Sequence, residues 1–163
     1  MLVYWVLVHE WLKTFGNRMA VVRRTMLGLG LVASLGLIAY TAVLGEIGDG
    51  YRFQRRIGAT LFYAFTILAQ LLMAIQVEAV ARVRPSLISL RTSRALLAVS
   101  AATILVALAS LLFWAFIEHY GRVEDAFAWW VTLLILLHPL VAFFAWKESG
   151  FEPRFTVPGR PSR

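Results

Sequence analysis

The chain has 163 residues, of which 60% are apolar and only 15% charged, and its mean hydropathy is +0.73. About a quarter of the residues in a soluble domain are charged, so this chain lacks the polar side chains that a water-exposed surface needs. The absence of cysteine excludes disulfides, thiolate metal sites and cysteine nucleophiles, and the net charge of +7 does not indicate nucleic acid, because the basic residues stand between apolar runs.

Residues 1–18 form the first predicted element, an amphipathic helix on the cytoplasmic membrane surface. The opening segment MLVYWVLVHEWLKTF is too short to span a bilayer, and its positive charges follow the apolar stretch instead of preceding it as in a secretory signal. Its tyrosine and tryptophans favour the headgroup level, and His9, Glu10 and Lys13 gather on one helical face. We predict an interfacial helix; the alternative is a partial span packed against a partner subunit.

The basic helix HEWLKTFGNRMAVVRR, leading into a first span, resembles the start of an ABC exporter permease. The resemblance is confined to this helix and the span after it. Such permeases have more spans than the four counted below, so no function is carried over from them.

Four long uncharged stretches predict four transmembrane helices, at residues 25–45, 57–77, 95–117 and 126–146. At a rise of about 1.5 Å per residue each stretch reaches about 31–35 Å, which crosses a hydrocarbon core of about 30 Å. The stretches show neither the alternating polarity of β-barrel strands nor the polar faces of a soluble helical bundle. The predicted fold is therefore all-α, with a polytopic four-helix membrane domain over residues 25–146.

The sixteen lysines and arginines divide unequally between the two sides of that membrane domain. Twelve fall in the N-terminal arm, the second loop and the C-terminal tail, and four fall in the first and third loops. Because short basic loops remain cytoplasmic, both termini are predicted to face the cytoplasm. The predicted location is integral and multi-pass, in the inner membrane of a bacterium.

Small residues spaced four apart predict helix-packing faces on the first and third spans. The residues are Gly30, Ser34, Ala98 and Ala102. Small side chains let helix backbones approach closely, which favours helix association in a membrane. We prefer this packing role to the lining of a pore.

One polar side chain in each span lies about 11–13 Å from the cytoplasmic end, at about 1.5 Å per residue. The four residues are Ser34, Gln70, Thr103 and His138. On the second span, Tyr63 and Thr66 share a helical face with Gln70. We predict a hydrogen-bonded polar layer that determines how the helices pack, each bond contributing about 0.6–2 kcal/mol.

His138 supports a second hypothesis, the binding of haem or a quinone. Ionisable residues inside a membrane are costly and indicate function by default, and a neutral imidazole can ligate haem iron. Pro139 removes a backbone donor and so frees the carbonyl of Ile135. His9 and His119 lie too far along the membrane normal to join His138, so a second haem ligand would come from another chain.

Glu78 and Arg82 have the spacing of a favourable helical ion pair, which needs no further role. The sequence contains no phosphate-binding loop, nucleophile elbow or metal-binding motif. We therefore expect a protein that is not an enzyme and binds no metal ion.

Residues 147–163 are predicted to form an extended cytoplasmic tail. Pro153, Pro158 and Pro161 prevent a continuous helix, and no apolar face is available for packing. The alternative is plain disorder.

Three function classes remain. The preferred one is a non-catalytic accessory or scaffolding subunit of a larger integral-membrane complex, such as an energy-transducing or transport complex. The alternatives are a haem- or quinone-binding anchor of a redox enzyme and a small homo-oligomeric transporter or channel. The expected partners are other membrane subunits and the lipid bilayer, with no nucleic acid.

Overall fold

The structure is a computed structural model that describes residues 1–16, 19–116 and 123–152. These residues form five α-helices and no strand: α1 Leu2–Lys13, α2 Ala20–Thr41, α3 Asp49–Val83, α4 Leu90–Phe116 and α5 Glu124–Glu148. Helices α2 to α5 are each long and apolar enough to cross a membrane. The predicted all-α fold with four such helices is confirmed.

The helix ends differ from the ends of the uncharged stretches. Helix α3 begins at Asp49 and ends at Val83, well outside the predicted residues 57–77. Pro85 ends it, because a following proline disfavours the helical conformation at Arg84, whose φ is −133° and ψ 71°. Charged residues thus mark the limits of the apolar stretch, while the backbone determines where the helix itself stops.

Two groups of charged residues are helical where the sequence indicated a loop or a tail. The first lies in the opening turns of α3 and comprises Arg52, Arg55 and Arg56. The second, Lys147 and Glu148, belongs to α5. Each helix continues through its charges, since no proline or positive-φ glycine interrupts it there. Residues 153–163 of the predicted tail, residue 117 of the third span and His119 lie outside the described residues.

Successive helices run in opposite directions, so the bundle has two distinct ends. We call proximal the end that holds the α3–α4 connection at residues 84–89 and the last turn of α5, and distal the end that holds the α2–α3 connection at residues 42–48. Helix α2 packs most extensively against α3, and α4 packs against both α5 and α3.

Two glycines bring α2 and α3 into backbone contact. A Cβ atom added to Gly36 would lie 2.9 Å from the carbonyl oxygen of Gly58, and one added to Gly58 would lie 2.7 Å from the backbone nitrogen of Tyr40. Such distances are shorter than side-chain contacts allow, so this crossing requires residues without a Cβ.

Helix α1 packs against the proximal half of the bundle. Trp5 covers Gly30 of α2, where an added Cβ would overlap the indole ring. The hydroxyl of Tyr4 lies 3.6 Å from the Sδ atom of Met73 on α3, and Trp11 Nε1 donates to Ser149 Oγ at 2.9 Å, just after α5. The buried face of α1 is thus covered by this chain's own helices, while its position on a membrane surface stays a prediction.

Candidate functional site

The helix pairs α2–α3 and α4–α5 diverge toward the distal end of the bundle. All the buried residues of α4 lie in its proximal half: Ser93, Leu96, Ser100 and Thr103. Residues 104–116 of the same helix are half-buried or exposed, as are residues 49–65 of α3 apart from Gly58. The buried contacts between the two pairs lie mainly in the proximal half, and a cleft opens between them distally.

This distal cleft has a volume of about 770 Å³ and is lined by α2, α3, α4 and α5. Its walls carry mainly small and apolar side chains, such as Ala59, Ala107 and Val131. At its mouth stand Arg52, Arg55 and Arg56. From Arg56 to Ile67, its deepest residue on α3, the cleft extends about 17 Å at about 1.5 Å per residue.

Three arginines give the mouth of the cleft positive charge. Arg52 Nη1 lies 3.8 Å from Asp49 Oδ1 in an exposed ion pair. Arg55 and Arg56 have no acidic partner among the described residues, and no acidic side chain is among the described residues that line the cleft. This end of the cleft therefore favours an anion.

A hydrogen bond between two hydroxyl groups joins α3 to α5 within the cleft. Tyr63 and Thr132 have their oxygens 2.9 Å apart, and Thr132 Oγ1 donates to the carbonyl of Ala128 at 2.7 Å. Because the threonine proton is used in that bond, Tyr63 is the donor to Thr132. Both hydroxyl protons are thus used inside the protein.

All four residues of the predicted polar layer are buried. Ser34 and Thr103 donate to carbonyls of their own helices, Gly30 and Val99, each at 2.8 Å. Among the described residues of this layer, Gln70 is the one that bonds to another helix. The hydroxyl groups of Ser34 and Thr103 bond within their own helices.

Gln70 provides the donor that Pro139 takes away. Its Nε2 donates to the carbonyl oxygen of Ile135 at 2.9 Å, and Ile135 is the residue whose helical partner would be the missing N–H of Pro139. A free carbonyl inside a membrane costs several kcal/mol. Gln70 thus compensates for the proline in α5.

His138 is fully buried on α5, one helical turn from Ile135. Neither ring nitrogen has a hydrogen-bonding partner among the described residues, and the same is true of Thr66 Oγ1, Gln70 Oε1 and Ser100 Oγ. The participation of His138 in a hydrogen-bonded polar layer stays a prediction. A neutral imidazole with both nitrogens unpaired can still donate to and accept from a ligand.

Comparisons of this chain with protein-family models, curated proteins and solved structures found no match.

Two carboxylates join the helices at the proximal end. The predicted pair is present, with Arg82 Nε 2.9 Å from Glu78 Oε1, and Glu78 also accepts a hydrogen bond from Ser93 of α4. Glu148 of α5 accepts bonds from the backbone N–H of Ser89 at 2.8 Å and from Thr92 Oγ1 at 2.6 Å. The negative charge of Glu148 therefore lies at the N-terminus of α4, where the helix dipole favours it.

Sequence reasoning missed the contacts of Glu148 and the position of the three arginines that line the cleft. Ser89 was a readable N-cap for α4, and its hydroxyl oxygen accepts from the backbone N–H of Thr92 at 3.2 Å. No local pattern indicates that a carboxylate from α5 meets this turn. The grouping of Arg52, Arg55 and Arg56 was also visible, since side chains three or four apart share a helical face. Assigning them to a loop concealed that grouping.

Proposed function

We propose that this chain is a multi-pass membrane protein whose helices α2 to α5 cross the bilayer, with both termini in the cytoplasm of a bacterial cell. The length and apolar character of the four helices support insertion. The excess of lysine and arginine in the terminal segments and the second loop supports the orientation. The proximal end of the bundle would then be cytoplasmic.

Within that membrane, the chain acts as a non-catalytic accessory subunit of a larger complex. The observation that carries this proposal is the small-residue face of α4. Ala98 and Ala101 are exposed and Ala102 is half-buried, whereas Gly30 and Gly36 of α2 are covered by this chain's own residues. Small side chains promote close helix packing, so a helix of a partner subunit would pack against α4.

The test is co-purification from native membranes in mild detergent. Ala98→Leu combined with Ala101→Leu should reduce recovery of the partner several-fold without changing the thermal melting of the purified chain, because both positions are exposed. Ala115→Leu with Ala126→Leu is the matched control, since these alanines are also exposed. The proposal fails if the partner is retained by the α4 variant, if the chain purifies alone, or if its only partner is a second copy, which would support the transporter alternative.

His138 favours a second function, the anchoring of a quinone or haem for a redox enzyme. The supporting observation is the fully buried imidazole with two unpaired nitrogens. Spectra of the purified protein before and after dithionite, with quinone analysis of a solvent extract, test it. His138→Leu should abolish the haem band or the retained quinone. A wild-type protein with neither chromophore nor quinone contradicts this function.

A further inference from the structure

We propose that the distal cleft binds one anionic glycerophospholipid. Its phosphate lies between Arg55 and Arg56, and its hydrocarbon follows the apolar walls toward Ile67. The inference concerns a site of this chain alone and holds whether or not the chain has a protein partner.

The charge distribution is the first support. Four basic residues lie on the predicted outer side of the membrane. Three of them fall in one five-residue stretch of α3, residues 52–56, and line this cleft. Arginine is uncommon on that side of membrane proteins, and neighbouring like charges repel each other. A phosphate would offset this repulsion, since the planar guanidinium group of arginine donates two parallel hydrogen bonds to phosphate oxygens.

The shape and lining of the cleft are the second support. Below the arginines the walls are mostly apolar, and the proton of Tyr63 is already donated to Thr132. A free inorganic anion would leave those walls uncovered, whereas a hydrocarbon chain attached to the phosphate covers them.

The cleft's volume of about 770 Å³ is that of a small-molecule site. The observed volume lies within the range of about 300–1,000 Å³ that is typical of small-molecule sites.

Native mass spectrometry of the purified chain with equal amounts of phosphatidylglycerol and phosphatidylcholine tests the headgroup. Wild type should retain one phosphatidylglycerol at this site with about a tenfold preference, because phosphatidylcholine has the same phosphate but adds a choline cation that the arginines repel. Arg55→Gln with Arg56→Gln should lower the preference to about one. The control Arg24→Gln with Arg91→Gln removes two exposed arginines that do not line the cleft and should leave the preference unchanged.

The number of bound lipids is the readout, because a second cleft of about 740 Å³ near the α1–α2 connection also carries arginines, Arg23, Arg82 and Arg84. The cleft variant should bind one phosphatidylglycerol fewer than wild type. A loss of the same size in the control variant contradicts the proposal, as does equal retention of the two lipids by wild type.

The hydrocarbon part is tested by narrowing the cleft. Ala107→Phe should lower lipid retention by one, whereas Ala115→Phe, an exposed residue outside the cleft on the same helix, should not. Thermal melting shows whether each variant is folded, and Ala64→Phe repeats the test if Ala107→Phe is not. Displacement of the lipid by millimolar inorganic phosphate would show a simple anion site, and a photocrosslink from position 107 to another protein in native membranes would show a protein occupant; either result overturns the proposal.

Discussion

Pro139 and Gln70 form a compensating pair on neighbouring helices. The proline removes one N–H from α5, and the Gln70 side chain donates to the carbonyl of Ile135 in its place. Helices with internal prolines are tolerated in membranes where another group satisfies the freed carbonyl. This bond is a sufficient reason for a glutamine at a position that is only 1% exposed, and no further function of Gln70 is needed to explain it.

The pairing predicts a specific coupling between the two residues. Gln70→Met, which keeps a long unbranched side chain but removes the amide, should lower the free energy of unfolding by about 1–2 kcal/mol. In a Pro139→Ala background the same change should cost less, because the new backbone N–H can bond to Ile135. The free energies of unfolding of wild type, the two single variants and the double variant, measured in mixed micelles, give this coupling. If Gln70→Met lowers the free energy of unfolding equally with and without Pro139, the bond to Ile135 has no energetic role.

At the scale of the helices, the contact between α2 and α3 depends on two glycines. Close backbone approach takes the place of hydrophobic burial as the source of helix association in a membrane. Gly28 lies on the same helix as Gly36 but has nothing within 4 Å of an added Cβ. Gly28 is therefore a control position for substitutions at Gly36, because it lies on the same helix without packing against α3.

Gly36→Ala should destabilise the bundle by about 1–3 kcal/mol, since the added methyl must push against the backbone of α3. Gly28→Ala should be neutral or stabilise by up to about 1 kcal/mol through helix propensity. Thermal melting in detergent compares the two variants. Equal behaviour of the two would mean that the crossing at Gly58 is looser than the structure shows.

Helix α1 changes polarity along its axis more than around it. Residues 2–8 contain no charged side chain, and among them Val3 and Val6 are exposed by 69% and 48%. Charge appears only in the later turns, where Lys13 Nζ lies 3.2 Å from Glu10 Oε2. A helix lying flat on a membrane needs polar groups along its whole outer face, so this pattern favours a partial span. The surface it packs on is the chain's own bundle and not the partner subunit of the alternative stated above.

We accordingly expect the first half of α1 to lie in hydrocarbon. A nitroxide on Val3→Cys should collide more often with oxygen than with a water-soluble nickel chelate, and one on Lys13→Cys should show the reverse. Power-saturation electron paramagnetic resonance in liposomes measures both. High nickel accessibility at position 3 would restore the interfacial placement.

At the scale of the whole molecule, hydrogen bonds connect the helices at the proximal end of the bundle, and a cleft separates them at the distal end. Glu78 and Glu148 link α4 to α3 and α5 proximally, while the helix pairs separate distally around the basic cleft. The proposed orientation places the proximal end in the cytoplasm and the cleft toward the outside.

Cysteine labelling tests that orientation in intact cells. Ile47→Cys, at a position 91% exposed in the distal connection, should react with an impermeant thiol reagent. Ser86→Cys, exposed in the proximal connection, should react only after permeabilisation. The native chain has no cysteine, so the background is low, and the opposite labelling pattern would reverse the proposed topology.

The sequence by itself determined the number and approximate position of the long helices, because an uncharged stretch of sufficient length is a local property of the chain. It also determined the Glu78–Arg82 pair and the carbonyl freed by Pro139, since both follow from helical spacing alone.

The tertiary structure decided which face of each helix meets a neighbour. Only the fold shows that Trp5 covers Gly30, that Gln70 reaches Ile135, and that the arginines of α3 line a cleft. The physical reason is that lipid-facing and helix-facing side chains are similarly apolar, so hydrophobicity encodes neither the rotation of a helix about its axis nor the angle at which two helices cross. Close packing and a few interhelical hydrogen bonds determine both, and these exist only once the helices are assembled.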